Sequence, residues 1–96
     1  MMFILSMNYT EQGIHTIKDA PKRAEIAREL AKKTGVEIKQ VYLTTGESDV
    51  VAIVETANSD SIVKFAIALG MQGNVRTRTA LAWPLEEYHR LVSELP

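Results

Sequence analysis

The hydrophobic positions along the chain switch between a two-residue period and a three-to-four-residue period, which predicts strands interleaved with helices. Residues 2–9 are rich in β-forming side chains and end at a polar, glycine-containing stretch, so they predict a first strand. Asp19 followed by Pro21 is a typical helix start, and alanines then recur at helical spacing. Thr34 before Gly35 predicts a left-handed helix end. These residues are therefore expected to form a strand followed by a helix.

The middle of the chain predicts a hairpin and a second helix. Residues 36–45 alternate between apolar and polar side chains, and residues 49–56 form a second β-rich run after the turn sequence TGES. Capping side chains such as Asn58 then precede a stretch in which Ile62 and Phe65 share one helical face. We expect two antiparallel strands joined by a tight turn, and a helix directly after them.

Strict alternation resumes over residues 74–83, which predicts a fourth strand. Pro84 then begins a short helix in which apolar side chains, among them Tyr88 and Val92, recur every three or four positions. The order β-α-β-β-α-β followed by a terminal helix is the ferredoxin-like α+β arrangement, with an antiparallel sheet in the strand order 4-1-3-2 and both main helices on one face. We expect residues 1–96 to form one domain of this type.

The third strand has apolar side chains on both faces, although a ferredoxin-like sheet leaves one face open to water. Val51 and Ile53 point to one side, and Val50 and Val54 point to the other. An apolar patch of this kind is unusual on a monomer, so we expect a second copy of the chain to cover the open face, with Val50 and Val54 facing that copy. Arg78 is expected at the same interface, since arginine is enriched there. The alternative is that the terminal helix folds over the open face of its own chain.

The composition argues against several classes of partner but does not identify one. The 96 residues are 46% hydrophobic and 24% charged, as in an ordinary globular domain, and the net charge of −1 gives no field that would attract nucleic acid. No segment is long and apolar enough to predict a membrane span. The chain has no cysteine, which is compatible with a reducing cytoplasm, and no cofactor motif or metal-ligand spacing is present. We therefore expect a cytoplasmic protein without a cofactor, a metal, a nucleic-acid partner or a membrane partner.

The predicted topology gathers polar side chains at one end of the sheet. In the order 4-1-3-2 the end of the first strand lies beside the starts of the third and fourth strands, so a small-molecule site is predicted from Tyr9, His15, Asp49, Asn74 and Arg76. Arg76 could hold a carboxylate or phosphate while Asp49 positions it, or the two could form an ordinary ion pair at the sheet end. His15 could act as a general base or simply be solvated.

Three stretches carry a resemblance to a known family: QGIHTIKDAPKR (12–23), VYLTTGESDVV (41–51) and ALGMQGNVRTRT (68–79). Together they resemble the GYD domain family of small bacterial and archaeal proteins, over most of the chain. The resemblance implies a ferredoxin-like fold related to the dimeric α+β barrels, and it leaves the function open. It also implies that the family's Gly-x-Tyr-Asp turn corresponds to residues 46–49, where Ser48 takes the place of the tyrosine.

Three functional classes follow from these observations. The first is an oligomeric module that binds a small molecule or regulates a partner, which fits two apolar sheet faces and the absence of a nucleophile motif. The second is a cofactor-free enzyme of the dimeric α+β barrel type, with monooxygenase-like or isomerase-like chemistry, and it rests on analogy of fold. The third is a purely structural assembly protein. A desolvated His15 in a polar pocket would favour the enzyme.

Overall fold

A computed structural model describes all 96 residues. The strands and helices are β1 (Met2–Tyr9), α1 (Glu11–His15), α2 (Ala20–Thr34), β2 (Val36–Leu43), β3 (Val50–Thr56), α3 (Ser59–Met71), β4 (Val75–Ala82) and α4 (Leu85–Ser93). The strands form one antiparallel sheet in the order β2-β3-β1-β4, which is the predicted order 4-1-3-2 written from the other edge. The ferredoxin-like α+β fold with a C-terminal helix is therefore confirmed.

The predicted helix ends are present as local geometry. Gly35 closes α2 in the left-handed conformation, with φ of 80°, where a side chain would be strained. At the start of α3, the side chain of Asn58 accepts a hydrogen bond from the backbone N–H of Ser61, which satisfies one of the free amides of the first turn. Asp19 occupies the N-cap position of α2, but its side chain makes no capping hydrogen bond.

A short helix that the sequence pattern did not predict, α1, follows β1 directly. The hydroxyl of Thr10 accepts a hydrogen bond from the backbone N–H of Gly13 and so caps the helix. The sequence does not predict this helix because it has only five residues and the central one is glycine, which disfavours helices. Gly13 is needed there because it lies against the start of β4. A Cβ atom on Gly13 would stand 2.0 Å from the carbonyl oxygen of Asn74, which is closer than atoms can approach.

The core lies between the sheet and the two long helices. Phe3 and Leu5 of β1 face the helices, and in the register of the sheet they stand opposite Val54 and Ala52 of β3. The side chains that complete this core are Ala31, Val36, Ile62, Phe65 and Leu69. Burial of a large apolar side chain such as Phe65 stabilises the fold by about 1.5–3 kcal/mol.

The opposite face of the sheet has no covering layer within the chain. Ile4 lies opposite Ile53 and Ala80, and 38% of its surface is exposed, while Val51 and Ile53 are half-buried by their neighbours alone. The central strands are therefore apolar on both faces, as expected. We call the surface of Met2, Ile4, Val51, Ile53 and Ala80 the open face.

The terminal helix α4 does not cover that face. Every residue of α4 is exposed to solvent, and the helix makes no substantial packing contact with the sheet or with the other helices. Pro84, which has an extended backbone with ψ of 157°, stands at its N-terminus. The alternative in which α4 folds back over its own sheet is therefore wrong.

Candidate functional site

The structure brings most of the predicted polar residues together at one end of the sheet. The carboxylate of Asp49 accepts hydrogen bonds from the backbone N–H of Tyr9 at 2.9 Å and from the Nδ2 of Asn8 at 3.4 Å. The carbonyl oxygen of Asn74 accepts from the N–H of Thr10 at 3.1 Å. These groups bind one another, so Asp49 in particular serves to hold the β2–β3 turn against the end of β1.

The two arginines of β4 have roles that differ from the prediction. Arg76 forms no hydrogen bond or ion pair with Asp49, so the expected positioning of the guanidinium by that carboxylate is wrong. Arg78 instead donates to the Oδ1 of Asn8 at 2.8 Å and to the Oγ of Ser48 at 3.0 Å. The hydroxyl of Ser48 thereby fixes Arg78 beside the turn. Arg76 remains an exposed guanidinium without a partner in the chain.

His15 lies at the end of α1 and points into solvent. Its side chain is 75% exposed, and its only charged neighbour is Glu11, with Nε2 and Oε1 3.7 Å apart. The His15 side chain belongs neither to the hydrophobic core nor to the lining of the cleft described below. The desolvated histidine that would favour an enzyme is therefore not found at this position.

The predicted interface residues of β3 lie on the face opposite to the expected one. Val54 is completely buried beneath the helices, and Val50 stands opposite Met7 on the same face, so neither side chain can line the open face. The two faces of this strand are both apolar, and the alternation alone does not tell which one the helices cover. The open face instead presents Val51 and Ile53 of β3, with Arg78 near its edge.

A cleft of about 830 Å³ opens between α2 and the helix face of the sheet. Leu5, Val50 and Ala52 form part of its floor, and Ala24 and Ala27 line it from α2. Because alanine side chains end at Cβ, this helix does not fill the space above the strands, and it packs mainly against α3 and β2. We call this space the helix-face cleft.

The helix-face cleft and the sheet-end residues are neighbours. Tyr9 and Asn74, both predicted as ligand-binding residues, line the cleft, whereas His15, Asp49 and Arg76 do not. The predicted cluster is therefore split between the mouth of this cleft and a hydrogen-bonded turn.

Basic side chains surround the cleft. Four of its lining residues are cationic, namely Arg23, Arg28, Lys32 and Lys39, and Glu37 is its one acidic residue. Lys39 lies 3.1 Å from Glu37 and 3.6 Å from Glu55, and the hydrogen bond and charge of Glu37 raise the pKa of Lys39 above its usual 10.5.

A second unusual surface is the apolar face of α4. Five large side chains, Leu85, Tyr88, Leu91, Val92 and Leu95, recur on one side of the helix and its C-terminal extension, and all of them are exposed. The polar side is tied together by Arg90, which pairs with Glu87 at 2.8 Å and with Glu94 at 3.0 Å. A strongly amphipathic helix without a neighbour in its own chain is typical of a surface that binds another molecule.

The structure holds no cluster of three or more histidine or acidic side chains placed to bind a metal ion. None of its helices is both long and apolar enough to cross a bilayer. The chemistry on its surface therefore lies in apolar patches, hydrogen-bonding groups and scattered charges.

Comparison with known proteins assigns the chain to a family. The family model described as the GYD domain matches residues 3–92, which is nearly the whole chain. The chain belongs to the GYD family. The resemblance seen in the three sequence stretches is therefore confirmed, and the match covers all four strands except Met2, as well as most of α4.

One curated relative of this GYD protein comes from Thermus thermophilus. It is 29% identical over 86 residues, and the match covers 88% of this chain and 90% of the relative. The relative is named "Glutamine synthetase and cystathionine beta-lyase binding protein". The similarity therefore extends over most of the length of both proteins.

Sequence reasoning missed the helix-face cleft and the isolation of α4. The alanines at positions 20, 24, 27 and 31 predicted an apolar stripe on the helix, and their small side chains were the available signal for the cleft. The signal for α4 was its amphipathic pattern, which cannot distinguish a helix that packs on its own sheet from one that awaits a partner. Both features depend on distances between elements, which a pattern of residue types does not determine.

Proposed function

We propose that this GYD protein is a regulatory binding module that attaches to metabolic enzymes through the apolar face of α4. The observation that carries the proposal is that every residue of this helix is exposed, so its large apolar side chains do not pack against the rest of the chain. Helices of this kind bind partners by laying the apolar face into a groove, with anchors three, four and seven residues apart.

The name of the relative supports this choice of partner. That protein is named for binding glutamine synthetase and cystathionine beta-lyase, and its match with this chain extends over nearly the full length of both. We propose enzymes of these two kinds as the partners here. A cytoplasmic location and the absence of nucleic-acid and membrane partners remain predictions from the sequence.

The proposal is tested with purified glutamine synthetase and cystathionine beta-lyase from the same organism, by surface plasmon resonance against the immobilised chain. Tyr88→Glu places a charge at the centre of the apolar face of α4 and should weaken binding at least tenfold. Ser93→Glu adds the same charge on the polar side of the same helix and should leave binding unchanged. Failure of both enzymes to bind, or equal losses in the two variants, would contradict the proposal.

Self-association is a second property that we propose for the open face. An apolar surface built from Ile4, Val51 and Ile53 is costly to leave in water, and a second copy can cover it with an identical surface. Multi-angle light scattering gives the mass in solution, and a strict monomer at micromolar concentration would remove this part of the proposal.

The alternatives of a cofactor-free enzyme and a purely structural protein have less support. The enzyme alternative takes His15 as its general base, but this side chain lies outside the helix-face cleft and in contact with solvent. A structural protein needs no cleft, whereas this chain keeps one of about 830 Å³ beside its core. A binding module accounts for the open cleft and the free helix together.

A further inference from the structure

We propose that the helix-face cleft binds a free amphipathic anion, a small molecule with a single apolar chain and a carboxylate or a similar anionic head group. The chain would lie against the sheet beneath α2, and the head group would meet the basic side chains at the mouth of the cleft. This site is distinct from the surface of α4, and it goes beyond the proposed binding of enzymes.

The size and lining of the cleft fit an apolar chain. Small-molecule sites commonly have volumes of about 300–1,000 Å³ and mostly apolar walls, and the helix-face cleft of about 830 Å³ falls within this range. Its inner wall includes Phe65 and Leu69 of α3, and its floor includes Leu5 and Ala52 of β1 and β3. These four residues belong to the buried core, and the partly exposed lining above them is also apolar, with Val50, Val75 and Ala27. None of these side chains can form a hydrogen bond, so the cleft favours a hydrocarbon chain.

The charge around the cleft selects for an anion. The chain as a whole has one more acidic than basic residue, yet the cleft has four cationic residues and one acidic residue. The acidic residue, Glu37, is already engaged by Lys39 at 3.1 Å. A negative head group would therefore meet a local excess of positive charge that the overall composition does not predict.

Two of the cations are free to bind a ligand. Arg23 donates to the carbonyl oxygen of Gly13 from both terminal nitrogens at 3.1 Å, and Lys39 is held by its acidic neighbours. Arg28 and Lys32, by contrast, form no hydrogen bond or ion pair in the structure. They stand four residues apart on α2, and therefore on one side of the helix, where a carboxylate could contact both.

The cleft could instead be covered by a second copy of the chain or by part of a protein partner. Charge alone does not exclude α4 of another copy, since that helix carries Glu86 and Glu87 in its first turn. The volume of about 830 Å³ and the two free cations, Arg28 and Lys32, favour the small anionic occupant. The experiment must therefore distinguish a soluble ligand from a covering chain.

The test adds sodium decanoate below its micellar concentration. Isothermal titration calorimetry measures its binding, and NMR of the methyl groups locates it. We expect saturable binding with shifts of the methyl groups of Ala27, Val50 and Val75, at least tenfold weaker binding of decyltrimethylammonium, and no binding of acetate. Vesicles of phosphatidylglycerol should not bind, because the site takes a free molecule. Equal affinity for the cationic and anionic amphiphiles, or attachment to the vesicles, would overturn the proposal.

Matched variants locate the head group. Arg28→Gln combined with Lys32→Gln should weaken decanoate binding at least fivefold, whereas Lys22→Gln combined with Lys33→Gln removes the same charge from α2 outside the cleft and should have no such effect. Ala24→Leu should weaken binding by filling the cleft, and its circular dichroism spectrum checks that the fold is kept. Equal losses in the two double variants would overturn the head-group assignment.

Two further results would overturn the proposal that the cleft binds an amphipathic anion. Shifts confined to α4 or to the open face would place the amphiphile elsewhere and overturn the proposal. Contacts between copies at the cleft, seen as intermolecular NOEs in a sample that does not bind decanoate, would overturn it in favour of a covering chain. Neither result depends on binding of glutamine synthetase or cystathionine beta-lyase, so the two proposals fail separately.

Discussion

The carboxylate of Asp49 accepts a hydrogen bond from the backbone N–H of Tyr9 across 2.9 Å, although 40 residues separate the two along the chain. The backbone N–H of Asp49 in turn donates to the carbonyl oxygen of Met7, also at 2.9 Å. The β2–β3 turn is thus tied to the end of the central strand β1 by side chain and backbone together. Asp49 therefore has a structural role in this protein.

Replacement of Asp49 by alanine should lower the free energy of unfolding by about 1–3 kcal/mol, because the N–H of Tyr9 loses its charged acceptor in a partly buried place. Urea denaturation measures this change. Glu47→Ala is the matched control, since Glu47 lies in the same turn with an exposed side chain, and it should change the stability little. Equal stabilities of the two variants would show that the hydrogen bond contributes nothing.

Two glycines offer a test of the packing of α1. Gly13→Ala should destabilise the fold by at least about 1–3 kcal/mol, because the new methyl group would stand 2.0 Å from the carbonyl oxygen of Asn74 and force α1 away from β4. Gly70→Ala, within α3, meets no atom within 4 Å and should raise the stability by about 0.5–1 kcal/mol, since alanine favours a helix. Thermal melts of both variants check the opposite signs.

Substitution by lysine distinguishes the two faces of β3. Val51→Lys places the charge on the open face, where it can reach solvent, so the chain should stay folded while any self-association weakens. Val54→Lys places the charge in the core and should cost on the order of 3–5 kcal/mol, which is enough to unfold much of a small domain. Circular dichroism and light scattering on both variants provide the measurements. A folded Val54→Lys variant would contradict the assignment of the faces.

The titration of Lys39 should reflect its two acidic neighbours. Its pKa is raised above 10.5 by Glu37 first and by Glu55 second, so the ion pair contributes to stability below pH 10.5 and this contribution is lost as the pH rises through the raised value. The chemical shift of the Lys39 side chain, followed by NMR from pH 9 to about 12, gives the pKa directly. Glu37→Gln should lower it, and Glu47→Gln should leave it unchanged.

Most of the fold could be predicted from the sequence because its local signals agree with one another. The alternation in β1 and β4, the capping by Asn58 and the left-handed Gly35 all point to the same element boundaries, and the rule of right-handed crossovers then leaves one sheet order. The short helix α1 was missed because Gly13 interrupts it. Its stability comes from contact with the start of β4, which is distant in sequence.

Much less of the candidate site could be predicted. Topology correctly gathered Tyr9, Asp49 and Asn74 at one sheet end, but it could not show that these polar groups satisfy one another. The assignment of Val50 and Val54 to the open face was wrong because both faces of β3 are apolar. The alternation of side chains therefore does not show which face the helices cover. The helix-face cleft depends on how far α2 stands above the strands, and no motif in the sequence encodes that distance.

Because α4 has no packing partner in its own chain, the hydrogen exchange of this helix should report whether another molecule is bound to it. Nine helical residues without tertiary support are marginal in water, so their amide hydrogens should exchange with deuterium almost as fast as those of a free peptide. A partner that covers Leu85 to Leu91 would slow that exchange without altering the sheet. Hydrogen–deuterium exchange of this one segment would therefore detect an unknown partner in a crude mixture before that partner has been identified.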